Sequence, residues 1–224
     1  MSSITDNRLL INTPDLILCS GIPRSGSTWL YNAARLLLEV EYPARVYGCW
    51  IADYNPSRPA AVHIVKIHEC NDHIAKKARI ILTSHRDLRD IAASAWLRGW
   101  VTNEQEALRF IEDAVAFHTY WLKLGALDVP YNMIRNAPLE AVEQIATRLG
   151  TSSARVDTSS ILAQLEALPM TTLGVDKYNS TTLLHDRHRM DGRSGYYNEI
   201  LPIEIIARIE STFGTWLRTY AFIT

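Results

Sequence analysis

The chain has 224 residues, 47% of them hydrophobic and 21% charged. That is the balance of an ordinary globular protein and not of a disordered one. Lysine and arginine number 23 against 24 acidic residues, a formal net charge of -1, which excludes a global basic field for duplex nucleic acid.

At this length a single domain over residues 1–224 is expected, and no linker divides the sequence. Cys19, Cys49 and Cys70 are odd in number and widely spaced. They form neither a disulfide framework nor a metal-ligand pattern, and suit a reducing compartment. The polar N-terminus lacks the apolar run of a signal peptide, and no stretch is long enough to span a membrane. A cytoplasmic protein with no membrane partner is the expectation.

In chain order, Asp15 to Ser20 is a short apolar run that stops at Gly21, the mark of a buried strand. Helical spacing begins at Thr28, with Trp29, Ala33, Leu36, Leu37 and Val40 on one face. Val62–Lys66 and Arg79–Ser84 read as further strands. A short helical stretch over 71–77 lies between them, and a helix over 87–98 follows. A long helix is expected from Asn103, where Asn103 and Glu106 have capping-box spacing. Its inner stripe is Leu108, Ile111, Val115, His118 and Leu122. A strand over 129–134 comes next, then a helix opened by Pro138 and closed by Gly150. Residues 153–168 read as helix and 171–198 as polar loop. Pro202 opens a last helix that turns Ile206, Ile209, Phe213 and Leu217 inward. Alternating strands and helices predict an α/β fold: one domain, with a P-loop-like parallel sheet flanked by helices on both faces.

A strand, a loop of small residues and a helix make an anion site, because backbone N–H groups and the helix N-terminus converge on a phosphate or sulfate. The loop reads Gly21-Ile-Pro-Arg-Ser-Gly-Ser-Thr28. Gly21, Gly26 and Thr28 fit the nucleoside-triphosphatase pattern GxxxxGK[ST]. Position 27 is serine, so the lysine that reaches the β- and γ-phosphates is missing. The cation sits inside the loop instead, at Arg24. A ligand-free glycine turn is the plain alternative.

Residues 23–29, Pro-Arg-Ser-Gly-Ser-Thr-Trp, resemble the 5′-phosphosulfate loop of the sulfotransferases that use 3′-phosphoadenosine 5′-phosphosulfate (PAPS). Their loop usually reads Pro-Lys-Ser-Gly-Thr-Thr-Trp. Arg24 keeps the charge of that lysine and changes its reach. The resemblance implies that Arg24, Ser25, Gly26, Ser27 and Thr28 hold the phosphosulfate. Trp29 is then a candidate to stack on adenine. In the family an arginine ending a strand, and a serine eight residues on, hold the 3′-phosphate. Arg86 and Ser94 match in spacing and context, although Arg86 and Asp90 also suit a simple i, i+4 ion pair. The family's Lys-x-His appears as Lys66-Ile-His68, which implies a general base at His68 and a lysine on the transferring sulfonate. Among seven histidines only this context singles out His68.

Near the C-terminus Gly192-Arg193-Ser194-Gly195 resembles the family's Arg/Lys-Gly-x-x-Gly segment over the 3′-phosphate. The register is looser, with Met190 and Asp191 before the first glycine. Arg193 is favoured over Arg189 as the cation. Tyr131 matches a Tyr-Glu-Asp stretch in part and is a weaker adenine contact. Together these motifs run in order from about residue 15 to 200. They identify the chain with the sulfotransferases as a small, bacterial-type member resembling the cytosolic ones. It is shorter than the well-known members, so its substrate-covering loops are expected to be trimmed. Their Lys-x-x-x-Thr-Val dimer motif is not visible, and oligomeric state stays open.

The resemblance implies sulfonate transfer from PAPS, with adenosine 3′,5′-bisphosphate (PAP) as product, to a hydroxyl or amine of a small-molecule acceptor. His68 acts as base, Lys66 and Arg24 stabilise charge, and no metal takes part. Trp50, Tyr54, Trp96 and Trp100 are candidates for an apolar acceptor pocket, or plain core residues. The competing readings are a P-loop small-molecule kinase needing Mg²⁺, and a non-catalytic nucleotide-binding module.

Overall fold

Period-two burial builds the centre of the fold. The computed structural model describes residues 14–151, 156–168, 178–185 and 192–224. In β1 (Asp15–Cys19) Leu16 and Leu18 face one apolar cluster, and Ile17 and Cys19 face the other. The same alternation places Val65 and Ile64 of β3 (Val62–Lys66), and Ile81 and Ile80 of β4 (Ala78–Thr83), on opposite sides. With both faces covered, strands of continuous apolar sequence pair in parallel. The five-stranded sheet has the order β2-β3-β1-β4-β5, and every pairing is parallel.

Helix α1 (Ser27–Glu41) is buried almost all round, because it packs on the sheet with one side and on later helices with the other. With it on one face lie α6 (Pro138–Leu149) and α7 (Thr158–Ala167). The opposite face carries α3 (Leu88–Leu97), α4 (Glu104–Lys123) and α9 (Ile203–Thr219). The remaining short elements are β2 (Val46–Trp50), α2 (Asp72–Ala75), β5 (Leu127–Asp128), α5 (Tyr131–Asn136) and α8 (Tyr197–Ile200). The α/β class and the two-sided parallel sheet are as expected. Among the described residues no helix is long and apolar enough to cross a membrane.

Several local expectations hold in detail. Asn103 caps α4 by accepting from the Glu106 N–H at 3.0 Å. The Glu106 carboxylate reaches back one residue further than a capping box, to Thr102. Pro138 opens α6, and Gly150 closes it in the left-handed region.

Others are corrected. Residues 129–134 are not a strand: β5 ends at Asp128, and Pro130 caps the helix α5. The Tyr131 N–H donates to the His85 carbonyl at 2.8 Å, which turns the chain out of the sheet. The buried stripe of α4 runs through Ala107, Ile111, Ala114, Phe117, His118 and Trp121, rotated from the expected one, with Ala107 and Ala114 buried in place of the expected Leu108 and Val115. Strand β2 has no counterpart in the sequence reading, since Tyr47, Gly48 and Cys49 give neither alternation nor a β-branched run. In the last helix Phe213 leaves helical geometry at φ -112°. Residues 152–155, most of 171–191 and Arg189 lie outside the described residues.

Candidate active site

The C-terminal ends of β3, β1 and β4 stand side by side, so the three motifs they carry meet. Cys19 is in register with Lys66 on one side and Leu82 on the other. The loop after β1 is tied down from below. The Ile22 N–H donates to the Ser84 carbonyl at 2.9 Å. The Ser25 hydroxyl lies within hydrogen-bond distance of the Ile22 and Ser84 carbonyls and the Ser84 hydroxyl, at 2.7, 2.9 and 2.7 Å. The Ser25 side chain is therefore a strut under the loop, pointing inward.

Two glycines are required by this packing. A Cβ at Gly21 would fall 2.1 Å from Ser84 Oγ. Gly26 has φ +84°, and a Cβ there would lie 3.1 Å from both Tyr131 and Ile134. Arg24 itself adopts φ +71°, an uncommon state for a side chain with a Cβ. Gly26 is the N-cap of α1 and gives it no side-chain cap, and no acidic residue lies in the first turn. The first N–H groups of a fifteen-residue helix are left to point at an anion.

These elements open into one cavity of about 720 Å³, within the range of small-molecule sites. Arg24, Gly26, Ser27, Thr28 and Trp29 line it, as do Lys66 and His68. Arg86, Ser94, Tyr131 and Gly192 line it from the β4 side.

Lys66 donates to Thr28 Oγ1 at 2.5 Å and sits 5.7 Å above the Trp50 ring. Burial pulls its pKa down to about 7, with Cys19 opposing and Arg24 adding to the shift. Burial, then the Lys66 ammonium, pushes the His68 ring well below the usual histidine range, against an opposing hydrogen bond to the Gly21 backbone. His68 Nδ1 is buried without a hydrogen-bond partner. The ring packs edge-on against Trp50, centroids 5.1 Å apart. Burial and the Lys66 charge both favour the neutral imidazole over the charged ring.

Arg24 turns away from Lys66 and donates from Nε to Ser94 Oγ at 2.7 Å. Burial first, then Arg98, lowers its pKa to about 10; Arg86 adds to this and Tyr196 opposes it. Arg86 is gripped between rings, 4.3 Å from Tyr131 and 5.3 Å from Tyr196. It donates to the carbonyls of Arg193 at 2.9 Å and Gly192 at 3.4 Å, and its Nε is buried without a partner. The i, i+4 ion pair to Asp90 also exists, at 3.4 Å, as the plain reading of Arg86 expects.

The sequence offers Asp90 only as an ion-pair partner of Arg86, yet it also holds the late glycine segment in place. Its carboxylate accepts from the Gly195 N–H at 3.1 Å and the Tyr197 N–H at 3.3 Å. Tyr131 donates to the Gly192 carbonyl at 2.9 Å. The Arg193 guanidinium goes elsewhere: it is half exposed, forms a bidentate pair with Glu199 and does not line the cavity. Ser194 bonds Asn132 on the surface. Trp50 and Trp100 line the cavity, whereas Tyr54 and Trp96 pack against the core. Leu162 and Leu165 of α7, with Leu183, form its apolar end.

No protein-family model matches the chain, and no curated protein matches it. Among solved structures it is similar to mouse sulfotransferase SULT7A1 complexed with PAP. The TM-score is 0.62 at 14% identity, over 91% of this chain and 85% of that one. It is also similar to retinol dehydratase in complex with androsterone and inactive cofactor PAP, with TM-score 0.60 at 15% identity over 92% and 82% of the two chains. A retinol dehydratase complex with retinol and PAP gives TM-score 0.60 at 15% identity over 92% and 83%. The chain has the fold of the sulfotransferases.

Proposed function

We propose that the protein is a PAPS-dependent sulfotransferase that transfers a sulfonate group to a hydroxyl of a small-molecule acceptor. One observation carries the reading: a phosphate loop without its triphosphatase lysine shares a cavity with a neutral histidine, a buried lysine and an arginine–serine pair at the next strand end. Two features fit the cosubstrate. The uncapped α1 N-terminus and the glycine cradle suit its 5′-phosphosulfate. The unpartnered Arg86 Nε, with Ser94 and the carbonyl-pinned glycine segment, suits its 3′-phosphate.

When bound, PAPS supplies the sulfonate, and adenosine 3′,5′-bisphosphate is the leaving product. The chain's own residues do the rest. His68 takes the proton of the acceptor hydroxyl, and its low basicity in the free protein keeps it available over the neutral range. Lys66 and Arg24 place positive charge where the leaving phosphate gains negative charge. Arg24 must let go of Ser94 to reach that place, which links the two phosphate subsites through one side chain. Trp50 and the leucines of the cavity exclude water around the acceptor. Trp29 and Tyr131 flank the cavity as ring surfaces for adenine.

The test has two parts. Thermal stabilisation is measured with PAPS, PAP, and ATP with and without Mg²⁺, on the native chain and on Arg86→Ala. Transfer of labelled sulfonate to a panel of phenols and alcohols is then measured on the native chain and on His68→Ala. The reading expects stabilisation by PAP that is lost in Arg86→Ala, and turnover that is lost in His68→Ala. Stabilisation by ATP with Mg²⁺ alone would overturn it in favour of a kinase.

A further inference from the structure

Next to Arg86 in the chain, and outside the main cavity, three chemically distinctive side chains converge from three elements. His85 follows β4, Asp128 ends β5 and His118 lies on the buried face of α4. His85 Nδ1 is 2.8 Å from Asp128 Oδ2, and His118 Nε2 is 3.2 Å from the same oxygen. The three ligating atoms all lie within 4.8 Å of one another. The imidazoles are 5% and 0% exposed.

Hydrogen bonding leaves this cluster incomplete. His118 Nδ1 is buried without a hydrogen-bond partner, and His118 Nε2 meets only the Asp128 carboxylate, at 3.2 Å. Asp128 Oδ1 is buried and unpartnered as well. Buried polar atoms are rarely left so. One ligand atom from each of the three side chains lies within 4.8 Å of the other two, which is the grouping that a cation completes.

We propose that His85, His118 and Asp128 form a binding site for a divalent transition-metal ion of the zinc class. Two imidazoles and a carboxylate suit Zn²⁺ and its neighbours, whereas Mg²⁺ and Ca²⁺ prefer all-oxygen shells. Tetrahedral bonds of about 2.0–2.2 Å place adjacent ligand atoms about 3.3–3.6 Å apart. The two carboxylate edges, 2.8 and 3.2 Å, are hydrogen-bond distances that open slightly when an ion enters. The imidazole–imidazole edge, at most 4.8 Å, shortens in turn. None of the three residues lines the main cavity, so the ion's role is to hold the fold together. Tyr220 packs on both imidazoles, with centroids 4.3 and 5.4 Å away. Trp216 does the same at 5.7 and 5.8 Å. These rings shield one side and couple the site to α9. Asp128, 18% exposed, gives the way in.

The test uses the full chain, stripped with a chelator and titrated with Zn²⁺ by calorimetry and with Co²⁺ by its ligand-field absorption. The proposal expects one equivalent per chain, a higher melting temperature with Zn²⁺, and a Co²⁺ spectrum of nitrogen and oxygen ligands. Asp128→Asn and His85→Gln are each expected to weaken binding at least about 100-fold. If a variant fails to fold, X-ray absorption on the native zinc-loaded chain decides, with two imidazoles per ion expected. Absence of stoichiometric binding in the native chain overturns the proposal and leaves a hydrogen-bonded His–Asp–His cluster. Equal binding by native and variant chains also overturns it, and points to exposed donors such as His73.

Discussion

Lys66 makes the proposed chemistry measurable through protons. Its ammonium is buried between β2 and β1, hydrogen-bonded to Thr28, and burial brings its pKa to about 7. The free protein therefore holds Lys66 increasingly neutral above pH 7. An anion seated on the loop favours the charged form, so binding of PAP above pH 7 draws a proton from solvent. In the free protein about half of Lys66 is charged at pH 7 and about one part in a hundred at pH 9. Uptake then rises from about half a proton to about one, and the Kd for PAP weakens about 50-fold between the two pH values. Calorimetry in buffers of different ionisation enthalpy counts the protons directly, and the slope of log Kd against pH checks the count. Lys66→Met removes the titrating group and should flatten both. No uptake at pH 9 in the native chain, or the same uptake in Lys66→Met, would refute the reasoning.

Other outcomes follow from the same geometry. His68→Ala should lower kcat about 10²–10⁴-fold while the Kd for PAP stays within about twofold, read by single-turnover sulfonate transfer and by calorimetry. Because His68 is already neutral, kcat/KM for PAPS should not rise from pH 6.5 to 8; it should fall above pH 7 as Lys66 loses its proton, and a rise would reassign the base. Gly26→Ala places a Cβ at φ +84° against Tyr131 and Ile134. It should destabilise the fold by about 1 kcal/mol or more in urea unfolding and weaken PAP binding. Asp90→Ala leaves the buried Arg86 without its ion pair, which should cost about 3–5 kcal/mol and loosen the Gly192–Gly195 segment, seen as faster amide exchange there.

Much of this was legible in the sequence because it is local. The loop over residues 21–28, Lys66-Ile-His68 and the eight-residue step from Arg86 to Ser94 each sit at one strand end. A parallel sheet brings strand ends together without further instruction. What the sequence hid is non-local. Asp90 reads as half of a surface ion pair until its carboxylate is seen to accept two backbone N–H groups more than a hundred residues later. His85, His118 and Asp128 share no spacing that marks ligands, and only the order β1-β4-β5 with α4 packed behind unites them. Arg193 misled for a local reason instead. Its place in a Gly-Arg-Ser-Gly segment suggests a phosphate ligand, but Glu199, six residues on, captures the guanidinium. Residues 129–134 misled because Val129 to Ile134 has strand-like composition, whereas Pro130 and the His85 carbonyl fix a helix start.

The way the cavity is assembled bears on how such a protein diversifies. Its loop end is locked to the sheet through Ser25 and Ser84, so substitutions there disturb several strand ends together. The apolar end is built by α7 and by residues 178–185, which attach to α1 through Tyr31 and Asn32 bonding the Thr181 and Thr182 carbonyls. Those bonds go to backbone and are indifferent to the side chains around them. Exchange of Leu162, Leu165 or Leu183 for another apolar side chain should therefore change the cavity's apolar end more than its loop end. On the proposed function, tolerance of change is partitioned within one cavity: a tied-down half on the donor side, and a half on the acceptor side whose backbone anchors ask little of its side chains.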